Sequence, residues 1–269
     1  MELYVHRCTG PTGVAATNYD GGMTTHSLLG LSKGTKFPIE RITEKMKKGI
    51  QKIGDAMWLV MDEISMTEPK MFVATDKITK MVLQNERLFG GLSIILGGDF
   101  KQKGTPAGMT LSEALFKYGI GDPLGDVERR AAMLFSRFRK FDLTRNHRQK
   151  SGEIKLNRML SILRDEDQPM EQILPMLKDS ILTRETLKDP SWQFAPTVVC
   201  GNRERIHINE VTAHRFARSK GCYLLKWDVK LTRGYDEIVG VRPCQYFVPD
   251  APAILSQNIS MPLVRLHVV

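Results

Sequence analysis

The sequence has no long apolar run. Its longest, Ala56–Met61, is six residues. A membrane-spanning helix needs about 20, so none is expected to cross a bilayer. The first residues, Met1–Arg7, lack a basic stretch followed by an apolar one, which argues against a secretory leader. Cysteines are few: Cys8, Cys200, Cys222 and Cys244, with no pair in CxxC spacing. That argues against a zinc ribbon or a thioredoxin-type site. Cys200, His207, His214 and Cys222 form a conceivable metal set, but their spacing fits no finger. Reduced thiols in an intracellular protein are the simpler reading. That means the nucleus or mitochondrion of a eukaryote, or the cytoplasm otherwise.

What is present is a chain of 269 residues, 42% hydrophobic, with a net charge of +9. This is enough apolar matter for one large domain or two modest ones. The charge suggests a polyanionic partner, and it is concentrated. Arg129–Lys150 carries eight basic residues against Asp142, and Lys33–Gly54 carries seven against Glu40 and Glu44. Solvated helix faces would read the same way.

Strand and helix signals alternate. Leu3–Cys8 reads as a strand, Gly10-Pro11-Thr12-Gly13 as a turn, and Val14-Ala15-Ala16 as the start of a helix. Lys33–Gly54 looks like an insert or a surface helix. Met57–Met61 and Leu92–Leu96 are apolar without alternation, as strands buried on both faces of a parallel sheet are. Met71, Thr75, Ile78 and Val82 mark one helical stripe, and Leu156, Met159, Leu160 and Leu163 another. Further strands are expected near Phe141–Leu143 and Thr197–Cys200, with a helix over Arg203–Ser219. The class is α/β with mostly parallel strands.

Chemistry gathers at strand ends. Trp58–Met61 runs into Asp62-Glu63, and a parallel strand delivers such residues to the ligand-binding edge. Asp62 suits Mg²⁺ held through water, and Glu63 suits activation of an attacking water. Apolar runs ending in a polar turn are common, so this pair alone decides little. Gly97-Gly98-Asp99-Phe100-Lys101-Gln102 offers glycines for close backbone approach and a glutamine able to contact a γ-phosphate. Arg148, in Leu143–Gln149, suits transition-state charge.

These segments, in order, resemble the motifs of the PIF (petite integration frequency) and RecD-like superfamily-one DNA helicases. They are Pro11–Ala16, Thr25-His26-Ser27, Asp62–Met66, Gly98–Gln102 and Arg148-Gln149. Phe89-Gly90-Gly91 also resembles Helitron transposon helicases. Pro196–Asn202 with Asn209, and Ala251–Ile259, resemble parts of the family's second RecA-like domain. The resemblance implies a first RecA-like domain over 1–145, a P-loop NTPase-type parallel sheet flanked by helices. It carries a basic wedge-like insert at about 33–54, and a partial second RecA-like domain follows over 146–269. It further implies ATP-driven, five-prime to three-prime movement on single-stranded DNA and unwinding of forked duplex, in DNA repair, recombination and telomere maintenance. By motif, Asp62 binds Mg²⁺, Glu63 activates water, Gln102 senses the γ-phosphate and Arg148 is the finger. All four would border ATP, while Pro11, Thr12, Gly13, Thr25, His26 and Ser27 touch the DNA. The resemblance names no protein partner and no membrane.

The pattern breaks at the phosphate loop, GxxxxGK[ST]: the sequence contains no Gly-Lys dipeptide. Its first strand is expected to be the one that follows that loop and its helix in the family. Charge-assisted bonds from the loop are worth roughly 1.5–3 kcal/mol each. The isolated chain is therefore expected to be deficient in ATPase, and apolar surface is expected to lie open on the first sheet. Lys103-Gly104-Thr105-Pro106 also replaces the usual Leu-Pro-Pro. The alternative is a non-enzymatic single-stranded DNA-binding remnant of a mobile-element helicase.

Overall fold

The computed structural model describes residues 6–32, 35–53, 56–102, 104–105, 108–145, 147, 153–164, 170–178, 180–228 and 244–252. The chain divides into two compact units, 1–165 and 166–269, a later boundary than 145/146.

In the first unit, β1 (His6–Gly10), β2 (Met23–Thr24), β3 (Trp58–Met61) and β4 (Ser93–Leu96) form a sheet of order β2-β1-β3-β4. Every pairing is parallel, with Thr9 beside Met23 and Met61, and Met61 beside Leu96. The carboxyl ends of all four strands therefore align on one edge. One face of the sheet is sealed: Thr9, Leu59 and Met61 are fully buried. The other face opens toward β4: Ile95 on β4 is 47% exposed and Trp58 on β3 36%. Burial on both faces, expected from the unbroken apolar runs, holds only near β1, where Cys8 is buried.

Helices cover the sealed face. Pro69 fixes the first turn of α4 (Pro69–Leu83), where its missing N–H leaves no bond unmade. Met71, Thr75 and Ile78 lie in the core, and Val82 packs against it. Phe72 on the same helix meets Phe89, Phe135 and Phe138 at ring separations of 5.6 to 6.3 Å. A Thr110–Glu113 capping box starts α5 (Leu111–Ile120), and α6 (Asp126–Phe135) packs beside it. The basic stretch holds α3 (Glu44–Gln51). Its Met46 and Ile50, with Ile39 and Ile53, belong to the same core, so this is more than a surface helix.

Three expectations need correction. Phe141–Leu143 forms no strand, and Phe141 and Leu143 are 82% and 98% exposed: β-favouring side chains make no strand without a neighbour to pair with. Thr197–Cys200 is likewise irregular, with Val198 98% exposed. The helix α7 (Ile154–Arg164) forms, but Ile162 is its buried residue, while Leu156 and Leu163 are 42% and 52% exposed.

The second unit contains α8 (Ile173–Lys178), α9 (Asn202–Lys220) and an antiparallel pair, β5 (Leu225–Asp228) with β6 (Cys244–Phe247). Gly221 in the left-handed conformation ends α9. Phe194 stacks edge-on to Phe216 at 5.0 Å, and the Tyr246 hydroxyl donates to Glu210 at 2.6 Å. Among the described residues no helix is long and apolar enough to cross a membrane.

Candidate functional site

The aligned strand ends bring most of the sequence motifs to one edge. Pro11–Gly13 follows β1, Thr25–Ser27 follows β2, Asp62-Glu63 follows β3 and Gly97–Gln102 follows β4.

Backbone bonds tie the β3 and β4 ends together. The Asp62 N–H donates to the Thr9 carbonyl at 2.8 Å, Gly97 N–H to Met61 at 2.9 Å, and Ile64 N–H to Gly97 at 2.9 Å. Glycine is needed for this closeness. A Cβ on Gly97 would stand 3.0 Å from Asp62 Oδ1, and one on Gly98, at φ +151°, 2.8 Å from the Ile64 nitrogen. Glu63 sits between these contacts at φ 51°, ψ 47°. A non-glycine residue held in the left-handed region marks strain, which concentrates at working sites.

Asp62 is half-buried, and its Oδ2 accepts a 2.8 Å hydrogen bond from the Tyr19 hydroxyl. That bond, with burial and the Asp62 charge, pushes the Tyr19 hydroxyl up to about 12. Burial, and then Asp62, also raises the Cys8 thiol. Asp99 gathers the next loop: it accepts from the Lys101 N–H at 3.1 Å and pairs with Arg164 at 2.7 Å. Lys101 Nζ in turn donates to the Arg164 carbonyl. Burial works to raise the Asp99 carboxyl, but the Lys101 N–H and Arg164 outweigh it and hold it below the usual range. Gln102 is exposed, and its amide donates to Asp99 Oδ2 at 3.4 Å.

Asp62 and Glu63 thus lie against Gly97 and Gly98, and Gln102 is engaged by Asp99. Arg148 lies outside the described residues. Sequence reasoning missed Tyr19 and Arg164: each is distant along the chain, and no motif spacing announces either.

On the neighbouring strand ends, Thr12 caps α1 (Gly13–Thr17) by accepting the Ala15 N–H at 3.2 Å. Gly13 is exposed, with open space where a side chain would stand. Thr24 caps α2 (Thr25–Leu28) by accepting the Ser27 N–H at 3.2 Å. His26 is exposed and Ser27 half-buried. Thr25 is buried and spends its hydroxyl on the Gly10 carbonyl at 3.3 Å, so it fastens β2 to β1 rather than facing solvent.

Hard carboxylate oxygens beside a side-chain-free glycine strip suit Mg²⁺, which keeps much of its water. Among the described residues, Asp62 and Glu63 beside Gly97-Gly98 fit the cation and water-activating share of a nucleotide site. Among the described residues no group of three or more His, Cys, Asp or Glu could hold a metal ion.

A parallel sheet flanked by helices, with paired carboxylates at its carboxyl edge, defines a RecA-like α/β core. The chain belongs to the PIF1-like helicase family, whose model matches residues 5–162. It is 37% identical over 99 residues to the ATP-dependent DNA helicase PIF1 of Emericella nidulans, covering 35% of this chain and 13% of that protein. Its fold is similar to the Pif1 helicase of Candida albicans (TM-score 0.58, 20% identity, 90% of this chain and 52% of the other). It is also similar to a Bacteroides Pif1 bound to single-stranded DNA (TM-score 0.52, 20% identity, 90% and 53%). The chain thus spans about half of the solved relatives' length and far less of the fungal sequence relative's.

Proposed function

We propose that this chain is part of an ATP-dependent, five-prime to three-prime DNA helicase, contributing a DNA-gripping edge and the water-activating carboxylates. One observation carries the reading: Met61 and Ile64, on either side of Asp62-Glu63, are hydrogen-bonded to Gly97, and this holds the two acids against Gly97-Gly98 on the same edge that carries Pro11–Gly13 and His26-Ser27. A motor of this kind opens forked duplex while tracking one strand, as DNA repair, recombination and telomere maintenance require. Asp62 would hold Mg²⁺ and Glu63 would accept a proton from water. Gln102, once released from Asp99, would contact the γ-phosphate, and Arg148 would neutralise its charge. The bound cation would supply positive charge to the phosphates. The family likeness supports ATP as the nucleotide, and the Bacteroides structure supports single-stranded DNA as the track. The second RecA-like domain would be built on residues 146–269.

The absence of GxxxxGK[ST] from the sequence favours a narrower statement for the isolated chain: it binds single-stranded DNA but does not turn over ATP appreciably. Fluorescence anisotropy with a labelled oligonucleotide, and phosphate release with and without DNA, test the two halves. Binding that is indifferent to sequence and weakened by salt is expected, with phosphate release at background. No binding at low salt overturns the DNA half. DNA-stimulated hydrolysis at helicase rates overturns the other.

A further inference from the structure

Between α2 and α3 lies a cavity of about 510 Å³. Two glycines set it. Gly30, at φ +61°, would put a Cβ 2.2 Å from the Lys45 carbonyl oxygen, and Gly49 would put one 2.2 Å from the Leu28 carbonyl oxygen. The two backbones therefore cross at a separation no side chain permits. This crossing sets one face of α3 against Ser27. Met46 and Ile50 turn inward to the core, and Lys45, Lys48 and Lys52 line the cavity with Ser27.

Among the described residues the charge lining this cavity is of one sign: three lysines and no acidic residue. Lys45 Nζ donates to the neutral Ser32 hydroxyl at 2.9 Å, while the nearby acid Glu44 pairs with Lys47, which lies off the lining. Arg7 adds a further cation where α3 ends, its Nε donating to the Lys52 carbonyl at 3.0 Å. At about 1.5 Å rise per residue the lysine row extends roughly 10 Å, enough to meet successive phosphates of one strand. Ser27 belongs to the edge proposed above to touch DNA, so the cavity continues that edge.

We propose that this cavity is a phosphate-backbone subsite for single-stranded DNA, with Lys45, Lys48 and Lys52 as its phosphate-binding side chains. The assignment rests on the single-stranded DNA half of the proposed function. A compact ammonium held at a helix surface neutralises phosphate without reading bases.

The test is the salt dependence of oligonucleotide binding by the full chain. For single strands the logarithm of the binding constant falls with the logarithm of salt by about 0.7 per neutralised phosphate. The triple variant Lys45→Ala/Lys48→Ala/Lys52→Ala is expected to flatten this slope by about 2. A control, Lys47→Ala/Lys70→Ala/Lys117→Ala, removes equal charge from the same unit and is expected to keep the wild-type slope. Five of the six sites are exposed and Lys117 is half-buried, and alanine favours helix, so folding is preserved; circular dichroism checks it. An unchanged slope in the first variant, with wild-type chain binding DNA, overturns the subsite alone. Equal flattening in both variants overturns it too, since net charge then explains the effect. Failure of the wild-type chain to bind overturns the DNA reading as well. Saturable calorimetric binding of inorganic phosphate, lost in the first variant while its DNA slope is unchanged, gives the cavity to a small anion instead.

Discussion

The Tyr19 hydroxyl donates a 2.8 Å hydrogen bond to Asp62 Oδ2, joining the turn after α1 to the carboxylate at the end of β3. An ionised tyrosine cannot donate this bond and would face a like charge. Tyr19 is therefore held neutral up to about 12, whereas free tyrosine ionises near 10.

The pH window follows. A folded-state pKa raised above the unfolded value gives stability that is fully present below about pH 10 and lost as pH rises toward about 12. Tyr19→Phe is expected to flatten the alkaline fall in stability. Ultraviolet titration is expected to show Tyr19 among the late-ionising tyrosines of the wild-type chain, with Asp62→Asn moving it back toward the ordinary value while Tyr246, raised by burial and its bond to Glu210, stays late. A Tyr19→Phe chain with an unchanged alkaline titration would break the link.

Glu63 and Gly98 make opposite demands on the same loop. Glu63 holds φ 51° with a side chain, and Gly98 holds φ +151° facing the Ile64 nitrogen. Left-handed backbone costs a residue with Cβ about 1–2 kcal/mol. Glu63→Gly is expected to raise stability by up to about 1 kcal/mol after the added unfolded-state entropy. Gly98→Ala is expected to lower it by about 2 kcal/mol or more through strain and the close contact. Urea denaturation measures both. Loss of stability in Glu63→Gly would remove the strain argument and leave Glu63 as an ordinary turn residue.

The strands and loops of this edge were legible because apolar runs ending in Asp62-Glu63 and Gly97-Gly98 combine strand burial with turn chemistry over a few residues. The α1 and α4 helices were legible for a similar reason, from local breakers and a 3.6-residue stripe. Phe141–Leu143 and Thr197–Cys200 have strand composition, but pairing depends on a neighbour that composition does not specify. The burial offset of α7 has the same origin, since its partner surface decides which side faces inward. Tyr19 and Arg164 were invisible because their roles arise from tertiary approach to Asp62 and Asp99. The demand for glycine at positions 30 and 49 was invisible for the same reason, since it arises only where the two backbones cross.

Asp76 shows how a buried charge far from the edge shapes the path into it. Its side chain is fully buried, with Oδ1 accepting the Phe89 N–H at 2.8 Å and Oδ2 taking Lys80 at 2.9 Å and Arg130 at 3.4 Å. Phe89 and Gly90 have φ values of 52° and 67°, a left-handed kink just before β4 and hence before Gly97-Gly98. Removing the carboxylate leaves the buried Phe89 N–H without its acceptor. Asp76→Ala is therefore expected to cost about 2–3 kcal/mol in urea denaturation. Arg130→Ala should cost less than about 1 kcal/mol, because that arginine is half exposed and its pair is screened. Asp76→Asn keeps an acceptor for Phe89 but no charge for Lys80, and should fall between the two. Hydrogen exchange at the Phe89 amide is expected to accelerate in Asp76→Ala and stay slow in Arg130→Ala. Equal costs for Asp76→Ala and Arg130→Ala would show that the ion pair, not the backbone anchor, holds the kink.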